Sequence, residues 1–137
     1  MNDLQDTAAL VGRNLLGIVF VVSGLEKIGA FADTTVYMAG AGLPAVQLLL
    51  VLAIIVEVGG GSAICFGWRC RMAALVVLLF TVIVTIVFHR YWDVPADQAM
   101  VQRLMFMKNV SIMGGLVLLY SFGPGSLALT FGRGTDG

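Results

Sequence analysis

Two residues in long apolar surroundings carry the first chemical signal: Arg13 and Glu57. An ionised group in hydrocarbon is expensive unless it is paired or hydrated, so each is a site hypothesis by default. If Arg13 and Glu57 share a depth, they form a buried ion pair. Such a pair either fixes helix register or handles a proton or a quinone carbonyl. A second polar group comprises Ser23, Glu26, Lys27, His89, Lys108 and Asn109. With one histidine in the chain, a bis-histidine haem or a His-rich metal site within it is excluded. Cys65 and Cys70 are spaced as neither a CxxC redox motif nor a zinc knuckle, and read as packing thiols.

The elements that must position these residues are membrane-spanning helices. Of 137 residues, 59% are hydrophobic and 12% charged, and mean hydropathy is +0.97. A soluble domain has about 45–50% apolar and about 25% charged residues. Formal net charge is zero, which excludes a basic field for nucleic acid. The start, Met1 to Thr7, carries Asp3 and Asp6 and no base, unlike a signal peptide, so the first helix is expected to be retained.

Spans of roughly 20 apolar residues are expected at about 7–26, 44–66, 72–89 and 104–122. The third of these, Ala73 to Phe88, has only Thr81 and Thr85 as polar residues, which argues against a soluble bundle. The expected fold is all-α: one integral membrane domain over 1–137, a four-transmembrane-helix up-down bundle. Residues 33–39 are expected to form a short interfacial helix before Gly40, Gly42 and Pro44 turn the chain back.

Both termini then lie on one face, A, with the turn holding Arg69 and Arg71, and with Arg133. Face B holds Lys27, Arg90 and Arg103. The dense Trp68–Arg71 turn points to face A being cytoplasmic. The expected tail, 126–137, stays at the surface of face A.

In the first helix Arg13, Gly17, Phe20, Gly24 and Lys27 fall on one stripe. Gly59, Ala63 and Gly67 recur at four-residue steps in the second, and glycines let membrane helices approach closely. The polar residues thus lie beside the expected packing seams.

These segments resemble the DoxX family of small bacterial membrane proteins. The resemblance is carried by Arg13-Asn-Leu-Leu-Gly17-Ile-Val-Phe20 with Gly24 and Lys27, then Gly42-Leu-Pro44, and Glu57-Val-Gly-Gly60-Gly61. It continues in Gly67, Arg71, Ala73-Ala74, His89, Phe106-Met-Lys108-Asn109 and Gly114-Gly115. His89-Arg-Tyr-Trp departs slightly from the family's His-Phe-Trp-like pattern. The resemblance implies a four-span bundle in the bacterial inner membrane, alongside relatives in thiosulfate:quinone oxidoreductases and oxidative-stress assemblies. No flavin, haem or iron–sulfur motif is found. Three functions are open: a redox-linked membrane subunit with a quinone as possible ligand, a non-catalytic assembly subunit holding other membrane or redox proteins, and a small-solute or lipid carrier. The lipid bilayer is the common partner; the lack of an inverted repeat or broken helix counts against the carrier.

Overall fold

The computed structural model describes residues 3–129. Among them four helical stretches are long and apolar enough to cross a membrane: Asp3–Gly29, Val46–Phe66, Cys70–Phe88 and Ala96–Phe122. The protein is an all-helical membrane protein.

Helix α1, Asp3–Gly29, starts with Asp3 and Asp6 in its first turn and has Lys27 in its last. That order complements the helix dipole, positive at the start and negative at the end. The helix therefore extends below the apolar stretch that hydropathy alone delimits. Helix α2, Phe31–Gly40, follows almost without a break. Gly42, at φ 76°, lets the chain turn into the second span. That span is composite: α3 (Val46–Ile54), a π-helical turn (Ile55–Gly60) and α4 (Gly61–Phe66). Gly67, at φ 78°, ends it.

Helix α5, Cys70–Phe88, returns to face B. Helix α6 begins at Ala96, not near Leu104, directly after Pro95. Its first two turns, Ala96 to Arg103, are too polar to register as a span. They are nonetheless helical, because Pro95 sits where a helix start tolerates proline.

The second span packs against α1 on one side and α5 on the other, and α6 packs chiefly on α5. Phe20, Ile64, Ala74, Val77 and Leu116 form the core where these elements meet. Most large apolar side chains instead face outward, Leu15, Ile83 and Leu118 among them. In water this would be a defect; in a bilayer it is the solvated surface.

The segment after α6 folds back over face A. Leu129 N donates to Phe66 O at 2.9 Å, and Ser126 N to Asp6 Oδ1 at 3.4 Å. Residues 130–137, including Arg133 and the end of the expected surface tail, lie outside the described residues.

Candidate functional site

The seam between α1 and the second span sets every later distance. At Gly17 an added Cβ would stand 2.7 Å from Gly61 O and 2.6 Å from Cys65 Sγ. At Gly61 it would stand 2.7 Å from Gly17 O. The two backbones therefore touch, which only glycine permits. Higher on the seam, Gly24 lies against Glu57 and Val58. On the other flank, Gly60 faces Val77 of α5. The buried residues of α1 are Arg13, Gly17, Phe20 and Gly24, which are members of the stripe read from the sequence.

Glu57 lies in the π turn and is 5% exposed. A π turn adds a residue to one helical turn and is often found at functional sites. Here it lets Gly61 meet α1 and Gly60 meet α5 while Glu57 still points inward.

Ser23 Oγ donates to Glu57 Oε1 at 3.0 Å. Lys27 Nζ donates to the same oxygen at 3.1 Å and to Ser23 Oγ at 2.9 Å. Nζ also stands 3.0 Å from Oε2, which closes the ion pair. Oε2 is buried and has no other polar partner among the described residues.

The expected Arg13–Glu57 pair does not form. Ser23, the residue bonded to Glu57, is ten residues beyond Arg13, or about 15 Å along α1. Because α1 projects below the second span, Arg13 is level with Gly67, not with Glu57. Arg13 is 4% exposed and collects main-chain carbonyls instead. Its Nε donates to Cys65 O at 3.2 Å, one terminal nitrogen to Pro124 O at 2.6 Å, and the other to Leu127 O. Arg13 is thus a staple that holds the C-terminal segment across the face-A end of the bundle.

The face-B group is brought together only in part. Ser23 and Lys27 join Glu57, and His89 lines the same cavity. Glu26 and Lys108 are exposed instead. Each is one position, and so about 100° of helical rotation, away from an inward residue, Lys27 and Asn109 respectively. Lys108 Nζ reaches only Met105 Sδ, at 3.5 Å. Asn109 is buried, but its Nδ2 donates to Thr85 Oγ1 at 2.9 Å, which knits α6 to α5 rather than to Glu57.

A cavity of about 390 Å³ opens beside the ion pair. It lies between the second span and α5 and is roofed by α2. Leu52, Val56, Phe80, Ile83 and Val84 make its walls, and Lys27, Tyr37, Glu57 and His89 are its ionisable groups. Glu57 sits at the inner end. His89 lies roughly 13 Å nearer face B, by the rise of about 1.5 Å per residue. Its Nδ1 is 2.9 Å from Gln102 Oε1. Tyr37 of α2 stacks on Phe88 of α5, with centroids 5.4 Å apart, and both line the cavity. Leu52 and Ile83 are also exposed on the outer surface, so the cavity communicates sideways with the lipid.

Sequence reasoning missed three parts of this site. The π turn had one visible signal, the Gly59-Gly60-Gly61 run after Glu57. Tyr37 falls near a predicted helix end, where an aromatic belt residue is equally expected. Gln102 lay in helical turns hidden from a hydropathy search. No group of three or more His, Cys, Asp or Glu is placed to hold a metal ion among the described residues.

A family model described as DoxX matches residues 8–90, which takes in the first three spans. Inner membrane protein YqjF of Escherichia coli (strain K12) is 40% identical over 129 residues, covering 94% of each chain. Inner membrane protein YphA of the same organism is 32% identical over 120 residues, covering 88% of this chain and 86% of its own. CatD of Bacillus subtilis (strain 168), named as a provisional oxidoreductase, is 30% identical over 79 residues, covering 58% of each chain. No solved structure matches.

Proposed function

The chain belongs to the DoxX family, and from that premise we propose that it is a membrane subunit of a redox-linked assembly whose cavity holds the head of a quinone. The observation that carries this reading is the Lys27–Glu57 pair at the inner end of a mainly apolar cavity. Small-molecule sites of roughly 300–1,000 Å³ combine apolar walls with a few placed polar groups. A quinone needs both: a slot for the ring and groups that exchange protons or hydrogen bonds with its oxygens. Phe80, Ile83 and Val84 offer the slot; Glu57, Lys27 and His89 offer the groups. The sideways opening suits a ligand whose tail remains in the bilayer.

The oxidoreductase name of the Bacillus relative supports the redox link. The names of the two Escherichia coli relatives support an inner-membrane location. In this reading a partner protein exchanges electrons with the bound quinone, and the present chain positions its head. With face A cytoplasmic, as the basic turn at Arg69 and Arg71 favours, the cavity opens in the outer half of the membrane.

A second reading, a non-catalytic assembly subunit, is favoured by α6. That helix keeps the smallest share of its apolar stretch inside the bundle. It also exposes Lys108 and Ser111, polar groups that a partner helix would cover. Mild-detergent purification from native membranes separates the two. Quinone recovered in stoichiometric amount, and lost on filling the cavity with Val84→Phe, supports the first. A co-purifying protein with no quinone supports the second.

A further inference from the structure

Two opposite charges on the spanning helices point out of the bundle without joining each other. Glu26 of α1 is exposed beside the exposed Val22, Leu25 and Ile28, and its carboxylate has no hydrogen bond or ion pair among the described residues. Lys108 of α6 is exposed beside Leu104, Met107 and Val110, and its Nζ reaches only Met105 Sδ. A charge facing lipid is expensive unless it is paired or hydrated.

The two stand at nearly one height and border one surface. A Cβ at Gly115 of α6 would meet Leu16 of α1 at 2.8 Å, so the helices are neighbours there. They run in opposite directions. Glu26, ten residues after Leu16, and Lys108, seven before Gly115, therefore lie about 15 Å and about 10 Å from that contact, both towards face B. On α1, Leu15, Val19, Val22 and Glu26 are exposed at steps of four, three and four, opposite the seam of Gly17 and Gly24. On α6, Ser111 and Leu118 are exposed opposite the buried Asn109 and Leu116. Lys108 is on the flank of α6 nearest α1, two turns from Gly115.

We propose that this α1–α6 surface is where a second copy of the chain packs, about a two-fold axis along the membrane normal. Such an axis keeps every residue at its own depth and sets α1 of one copy against α6 of the other. Glu26 of each copy then meets Lys108 of the other, and the two ion pairs form together, as a self-complementary interface requires. A second copy thus supplies both missing charges at the right height. None of these residues lines the cavity, so the proposal stands apart from the quinone reading.

The test is single-molecule photobleaching of the labelled full chain in liposomes over a range of protein-to-lipid ratios. Wild type is expected to dimerise. Lys108→Glu sets acid against acid and Glu26→Lys sets base against base, and each should weaken dimerisation at least tenfold. The combined Glu26→Lys, Lys108→Glu chain restores opposite charges with their places exchanged, and should recover to within threefold of wild type. Wild type and the combined variant decide the matter even where a single reversal folds poorly. A wild type that stays monomeric at every ratio overturns the proposal, whether lipid headgroups or a different protein then hold the two charges. So does dimerisation indifferent to both reversals, or a combined variant that associates no better than the single ones.

Discussion

Lys27 Nζ stands 3.0 Å from Glu57 Oε2 and 3.1 Å from Oε1, and it is this lysine, not Arg13, that neutralises the buried glutamate. The pair joins the last turn of α1 to the π turn of the second span. Its two members therefore depend on one another for burial. Lys27→Met alone strands a carboxylate that is 5% exposed, and should cost roughly 3 kcal/mol or more. Glu57→Gln should cost less, because the Lys27 side chain is 27% exposed and can lean towards the mouth. The double change should cost clearly less than the sum, measured as detergent or heat resistance of the folded protein. Additive losses would contradict the coupling.

Arg13 should behave as a staple. Arg13→Gln removes charged hydrogen bonds to Pro124 O and Leu127 O, each worth roughly 1.5–3 kcal/mol in isolation. Hydrogen exchange and proteolysis should rise over residues 123–129. Ligand binding in the cavity should change less than twofold, since Arg13 is about 15 Å from the level of Ser23. A loss of binding without release of that segment would restore a direct role for Arg13.

Glycine substitutions should separate the tight seam from the open surface. Gly17→Ala places a Cβ 2.7 Å from Gly61 O, a backbone atom that cannot swing aside. Overpacking of this kind costs about 1–3 kcal/mol. At Gly114 nothing lies within 4 Å of an added Cβ. Gly114→Ala should be neutral in the isolated chain. Thermal melts of both variants in one detergent check the contrast.

Deleting Gly59 tests the π turn. Gly59 is exposed, with nothing within 4 Å of an added Cβ, so removing it lets the turn close to an ordinary α-helix. The protein should still fold, with a melting temperature lowered by the loss of the Lys27–Glu57 pair. Glu57 should lose its place against Ser23, and ligand affinity should fall at least tenfold. Unchanged affinity would mean that the π turn plays no part in presenting Glu57.

Much of this was legible in the chain because a long helix keeps its phase. Arg13, Gly17, Phe20 and Gly24 recur at helical spacing, and all four are buried. What could not be read was the offset between helices. It is set where Gly17 and Gly61 touch, and by α1 starting at Asp3 rather than near Thr7. That offset exchanged Arg13 for Lys27 as the partner of Glu57. Hydropathy also hid the polar start of α6, and with it Gln102, the partner of His89. Glu26 and Lys108 sat close in sequence to inward residues, but one helical step turns a side chain through about 100°.

The proposed site of the quinone head is the cavity beside Lys27 and Glu57. Photolabelling with an azido-quinone, followed by peptide mapping, tests it most directly. Saturable labelling is expected, confined to residues 27–57 and 80–89, prevented by excess decylubiquinol and lost in Val84→Phe. Labelling spread over the outward faces of α1 and α6, and unaffected by competitor or by Val84→Phe, would contradict it.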